Sequence, residues 1–259
     1  MRMGLGLSIY TGRSPSVFAP SDVSGLVAWW DTATLSTLYQ DSGRTTLVSA
    51  NADPIGSITD RSGNSNHLLQ TTSGKRPTYV TSGISSVASA QFDGTDDFLE
   101  TSTSLGLASC TILMAAKCTT AGGFKGVFRW APTAADTGTN GMIWYNNGNT
   151  ALTQPGAGTY LVFLTTPANG DIFQETVQWS TTGGSRVIRR NQAALTLSTD
   201  AGYTAPTGTM PFQLGLGYTG FGNLPWNGMI GEVLVYDSVI SSGNRALCEA
   251  YLKAKWSTP

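Results

Sequence analysis

No stretch of this chain stays apolar, polar or charged for long. About twelve short runs rich in Val, Ile, Leu, Phe, Tyr and Trp are separated by Gly, Asn, Asp and Ser, the pattern of short strands joined by frequent turns. Residues 25–31, 87–92, 109–117, 125–130, 141–146, 159–164, 173–180, 186–191 and 212–217 are such runs. Between them lie turn signals such as Ser-Gly-Asn-Ser-Asn at 62–66 and Asn-Asn-Gly-Asn at 146–149, where Gly supplies and Asn tolerates a positive φ. The longest constraint is the closing stretch. After the turn Trp226-Asn227-Gly228, residues 229–236 are apolar on both faces except at Glu232, so they read as an interior strand. Gly231 leaves room there for a neighbouring backbone. Ser241 or Ser242 then caps a helix with Leu247, Tyr251 and Ala254 on one side and Cys248, Leu252 and Trp256 beside them. The fold predicted is all-β, a single large antiparallel sandwich closed by a short C-terminal helix.

Composition narrows what such a sandwich can do. With 12% charged residues and a net charge of −1, the chain has no electrostatic footprint for nucleic acid or an anionic membrane. No run approaches the ~18 apolar residues of a membrane span. The short, Gly-interrupted apolar part of residues 1–10 reads as no secretion signal. Residues 1–24 carry no sustained period; they are expected to be an N-terminal arm, either loose or ordered on a partner through Ile9, Tyr10, Val17 and Phe18. Cys110 and Cys118 share one expected strand and lie roughly 26 Å apart along it, beyond disulfide reach, so the three cysteines should be free thiols.

Catalytic motifs are scarce. His67 is the single histidine, which excludes a multi-histidine zinc site within one chain, and no serine sits in Gly-x-Ser-x-Gly. A glycosidase needs two carboxylates about 5–9 Å apart. The glutamates, Glu100, Glu175, Glu232 and Glu249, are dispersed, and none has an acid two residues away. The expectation is therefore no enzyme and no required cofactor. Asp93, Asp96 and Asp97 form an oxygen cluster of the kind calcium uses, though local turn formation accounts for them and the EF-hand spacing is absent. Two sets combine aromatic faces with amides as sugar sites do: Trp144, Tyr145, Asn146, Asn147 and Asn149, and Phe221, Asn223, Trp226 and Asn227. Core and turn roles would account for the same residues.

Several segments carry a resemblance. Trp-x-Asp at 29–31 (Trp29, Asp31), Leu-Tyr-Gln-Asp-Ser at 38–42, Asp-x-Ser-Gly-Asn-x-Asn-His at 60–67, Phe-Asp-Gly-x-Asp-Asp-x-Leu at 92–99, the strand Gly-x-x-Gly-Glu-Val-x-Val-Tyr-Asp at 228–237 and Tyr-Leu-x-x-Lys-Trp at 251–256 occur in this order. Together they resemble laminin-G-like, concanavalin A-like lectin jelly rolls, and in particular those of bacteriophage virion proteins. The resemblance implies a jelly roll over residues 25–259 and an arm over 1–24 acting as a virion anchor. It further implies a non-enzymatic structural protein on capsid or tail, serving host-surface glycan adhesion or particle decoration. Its partners would be other virion proteins and a host polysaccharide, as a homo-oligomer on the particle, with calcium an optional ligand. Two alternatives share the scaffold: a polysaccharide-degrading enzyme and a bacterial carbohydrate-adhesion module. Where the family often has Val-Asn-Gly, this chain has Arg190-Asn191-Gln192, which leaves a tight two-residue turn without its glycine.

Overall fold

A computed structural model describes residues 18–107, 109–120, 125–130, 141–146, 149–153, 160–163, 165–180, 187–200, 211–216 and 224–259, with the backbone alone described at 141–146, 149–153, 160–163 and 197–200. Chain order gives β1 (Leu26–Asp31), β2 (Leu38–Tyr39), β3 (Ser57–Ile58), β4 (Leu68–Leu69), β5 (Thr78–Ile84), β6 (Val87–Asp93), β7 (Leu99–Thr101), β8 (Cys110–Cys118) and β9 (Lys125–Trp130). There follow β10 (Gly141–Asn146), β11 (Asn149–Thr153), β12 (Tyr160–Phe163), β13 (Ile172–Trp179), β14 (Val187–Arg190), β15 (Ala193–Ala194), β16 (Leu197–Asp200), β17 (Gln213–Leu214), β18 (Asn227–Tyr236) and the helix α1 (Ser242–Trp256).

Among the described residues these strands make two sheets. One has the order β15-β14-β13-β8-β18-β6-β5, with β1 also paired to β18; the other runs β16-β12-β11-β10-β9-β17-β7-β4-β3-β2. The all-β sandwich with a C-terminal helix is as expected. The closing strand β18 is interior: β8 lies along one side, and β6 and β1 share the other. Strand alternation then splits its side chains. Ile230, Val233 and Val235 enter the core between the sheets with Trp30, Ile112, Met114, Phe128, Trp130, Val177 and Trp179. Leu234 and Tyr236 point the other way, into a second core with Leu113, Ala115 and the helix. A helix layer thus covers the back of the first sheet.

That layer is held by apolar contact and by ions. Ser241 Oγ accepts the Asn244 N–H at 3.2 Å and caps α1. Cys248, Leu252 and Trp256 are fully buried, whereas Leu247, placed by sequence on the apolar side, is 49% exposed. Each buried large side chain contributes roughly 1.5–3 kcal/mol by the usual area scale. Gly231 does leave room, but for a side chain rather than a backbone: a Cβ there would stand 2.6 Å from the Trp256 ring. Glu249 ties the middle of the helix to Thr176 (3.0 Å) on β13 and to Arg189 (2.9 Å) on β14.

The hairpin between β14 and β15 corrects one expectation. Arg190 pairs with Ala193, so Asn191 and Gln192 do form a tight two-residue turn, with φ of 50° and 68°. Such a turn needs two left-handed residues, which Asn tolerates and Gln does not favour. Gln192→Gly is therefore expected to stabilise the protein by about 0.5–1 kcal/mol, read as a raised urea midpoint. Cys110, Cys118 and Cys248 are free and buried, as anticipated.

Candidate functional site

Two acids far apart in sequence converge on the helix-covered face. Asp31 and Glu232 are register partners across β1 and β18. Lys255 Nζ lies 2.8 Å from Asp31 Oδ1 and 2.8 Å from Glu232 Oε2. Glu232 also accepts Trp29 Nε1 (2.6 Å), Tyr251 OH (2.8 Å) and Trp256 Nε1 (2.8 Å). Asp31 accepts the Ala33 N–H at 3.0 Å and Thr34 Oγ1 at 2.6 Å, and pairs with Arg61, whose guanidinium lies over the Trp29 ring. Two carboxylates sharing one ammonium are as close as a glycosidase pair. These two are 1% and 0% exposed, and every oxygen is filled by donors. They form a clamp for the helix end and offer nothing to a substrate.

The remaining motif residues have the same character. Asp60 accepts the Trp29, Ser62 and Asn66 N–H groups at 2.8–3.0 Å and so winds the 60–67 turn around itself. His67 Nδ1 accepts the Asp60 N–H at 3.0 Å, and burial, with Arg44 nearby, lowers its pKa, which favours the neutral, acceptor form. Glu175 is buried against Arg190 at 2.7 Å; burial raises its pKa and the guanidinium opposes that rise.

A different arrangement occupies the face of the second sheet turned away from the core. Glu100 on β7, Gln213 on β17 and Arg129 on β9 are consecutive register partners. Their neighbours Leu99, Leu214 and Phe128 lie in the inter-sheet core, so alternation puts all three on the outer face. Gln213 Nε2 donates to Glu100 Oε2 at 2.7 Å, and Arg129 Nε donates to Gln213 Oε1. Gln213 and Arg129 are buried, and Glu100 is the half-exposed end of the line. A carboxylate held rigidly by an amide, itself held by a guanidinium, is a preorganised acceptor for hydroxyl groups. Sequence reasoning missed this line. Its hydrogen bonds span 113 and 84 residues, so although Gln213 falls within the expected run 212–217, no local pattern names its partners.

The residues singled out by sequence fare unevenly. Trp226 is fully buried and belongs to the core, which removes it from the glycan set. Asn227 Nδ2 donates to the Asp93 carbonyl at 3.3 Å, and so shapes the rim. Trp144 and Tyr145 lie on β10 opposite Gly126 and Lys125, and Asn146 pairs with Asn149 on β11 across the expected hairpin. Asn147, Phe221 and Asn223 lie outside the described residues, as do Ile9, Tyr10 and Val17 of the arm. Phe18 packs edge-on against Tyr251, ring centroids 6.2 Å apart, so it serves the helix layer of its own domain.

Oxygen atoms of Asp93, Asp96 and Asp97 do converge, within 4.8 Å of one another. The donor type suits calcium, and three carboxylates fall short of the roughly six to eight oxygens it takes. Asp97 meanwhile accepts the Asp93 N–H at 3.0 Å, Asp93 accepts the Thr95 N–H at 2.7 Å, and Asp96 faces Lys75 at 4.0 Å, so turn-making contacts engage all three. Burial first, and then the Asp93 and Asp96 charges, push the Asp97 carboxyl up to about 6. The unfolded chain ionises this group at a lower pH than the fold does. Stability from Asp97 is therefore present below pH 3.8 and declines as pH rises to about 6. Asp97→Asn is expected to flatten that part of a melting-temperature profile, and an unchanged slope would remove Asp97 as its source.

No family model matches the chain, and no curated protein does. Solved structures do. An arabinofuranosidase complexed with arabinofuranosyl-α-1,2-xylobiose matches 92% of this chain and 65% of its own, at 15% identity and a TM-score of 0.61. A GH54 α-L-arabinofuranosidase soaked with a cyclic sulfate inhibitor matches 92% and 66%, at 16% identity and 0.62. A Trypanosoma rangeli sialidase in complex with 2,3-difluorosialic acid matches 91% and 34%, at 11% identity and 0.56. The chain thus spans about two thirds or less of these neighbours, and at such identities the likeness is one of fold. It nonetheless corrects the expectation of a non-enzymatic virion structural protein. The three structures named, which share this fold over nine-tenths of the chain, are of arabinofuranosidases and a sialidase. Among the described residues no helix is long and apolar enough to cross a membrane.

Proposed function

We propose that this chain is a carbohydrate-active sandwich that hydrolyses a polysaccharide at the outer face of its second sheet, with Glu100 as one of the acting carboxylates. The observation that carries the reading is the Glu100–Gln213–Arg129 line, a half-exposed carboxylate fixed in direction by two buried side chains. Its setting supports the choice, since the neighbours of this fold act on arabinofuranosyl and sialyl sugars. The buried Asp31–Glu232 pair has no access, so Glu100 is the better carboxylate. Glycoside hydrolysis asks one carboxylic group to move a proton and a second to attack or activate water. Glu100, accepting from Gln213 through Oε2, keeps Oε1 for one of these two roles.

The test is release of reducing sugar from arabinan, arabinoxylan and sialyllactose, alongside calorimetric binding to each. Wild type is expected to release sugar from at least one. Glu100→Gln is expected to lose about 100-fold or more in rate with an unchanged melting temperature. Full activity in that variant would reject Glu100. Binding without release would turn the assignment to the carbohydrate-adhesion module, and neither binding nor release on any glycan would overturn the proposal.

A further inference from the structure

The Glu100 line continues in the other direction. Leu69 on β4 is the register partner of Glu100, Ser57 on β3 of Leu69, and Tyr39 on β2 of Ser57. Leu38, Ile58 and Leu68, one position away in each strand, are core residues, so this half of the row shares the outer face with Glu100. Tyr39, Leu69 and Glu100 are partly exposed. Between the first two, Ser57 Oγ is buried without a hydrogen-bond partner. From Glu100 to Tyr39 the row crosses three strand spacings, about 14 Å.

The geometry points to a transverse subsite on this row for a neutral oligosaccharide of three or more sugars, with Glu100 taking hydroxyls at one end and the Tyr39 ring stacking at the other. The inference rests on the glycan activity proposed for the same face. Length follows from the row, because a sugar unit advances by about one strand spacing and only a chain of about three units reaches both ends. Neutrality follows from charge. Arg129, the cation of the row, is buried beyond Gln213 and donates into it. Of other cations near the row, Lys75 faces Asp96, and Arg76 donates to the Gln70 and Thr71 carbonyls. What remains exposed beside an incoming sugar at that end is the Glu100 carboxylate, with Asp93 and Asp96 in the turn that leads into its strand. A sugar acid would meet like charge there, whereas a diol would donate to Glu100 Oε1.

Calorimetry with a ladder of neutral arabino-xylo-oligosaccharides, from monosaccharide to hexasaccharide, tests this, with sialyllactose and an oligogalacturonate as anionic probes. Affinity is expected to rise about tenfold or more up to the trisaccharide and then level, with the anionic probes about tenfold weaker or worse. Tyr39→Ala should weaken the trisaccharide about tenfold and leave the monosaccharide unchanged, while Tyr39→Phe keeps the wild-type profile. Affinity independent of length, a preference for the anionic probes, or wild-type trisaccharide binding by Tyr39→Ala would each overturn the subsite while leaving glycan activity standing. Absence of binding and of sugar release across all glycans would overturn both.

Discussion

Replacing Lys255 by methionine is expected to remove about 3 kcal/mol of stability, measured as a fall in the urea-unfolding free energy. The ammonium is the shared partner of Asp31 and Glu232, 2.8 Å from each. Methionine keeps most of the aliphatic stem and leaves two buried carboxylates with one cation, Arg61, which reaches only Asp31. Glu232 is then left with three neutral donors and no cation in a site that is 0% exposed. Breaking a buried pair from one side typically costs 3–5 kcal/mol. The lower end applies because the lysine side chain keeps 24% of its exposure. Against a total of roughly 5–15 kcal/mol, that loss brings the fold near its limit. Adding Glu232→Gln to the variant should restore part of it, since the uncompensated charge goes and the ring donors keep an acceptor. A loss below about 1 kcal/mol, the size of a surface pair, would show that the clamp is solvated and the argument wrong.

This clamp also explains which parts of the molecule were legible beforehand. Trp29, Asp31, Glu232, Tyr251, Lys255 and Trp256 all stand in motifs recognisable in sequence, and all meet at one knot. Asp60 and His67 fill a second such role inside their own turn. Conspicuous sequence features here mark positions where buried polar groups must all find partners, so they report the fold and not the ligand. Long strands such as β8, β13 and β18 were readable because their alternation or apolar length is extended enough to see. The two-residue strands β2, β3 and β4 were not, and they are the ones that carry Tyr39, Ser57 and Leu69; β17, with Gln213, fell within an expected run, but nothing local named its partners. A site assembled from strands that short has no period, and only sheet register brings its members into line.

The same dependence on register makes Gly228→Ala the second large effect. Gly228 lies on β18 opposite Cys118 of β8 and Phe92 of β6, hemmed on both sides. A Cβ there would fall inside the van der Waals envelope of the Lys117 carbonyl oxygen and stand 2.7 Å from the Trp226 ring. A flexible side chain could swing away; a ladder carbonyl in a central strand cannot move without disturbing its hydrogen bonds, and Trp226 is fully buried. Overpacking of this kind costs about 1–3 kcal/mol, and the upper end is expected where backbone is the obstacle. Gly243 supplies the control. It lies in the first turn of α1, where an added Cβ finds its nearest neighbour, Ser241 Oγ, at 3.9 Å. The same substitution there removes backbone freedom from the unfolded chain and should stabilise by about 0.5 kcal/mol. Opposite signs for one chemical change, read side by side in thermal melts, would tie the effect to strand packing. Equal shifts in the two variants would mean that the β18–β8 contact yields, and with it the register that aligns the inner faces of the two sheets.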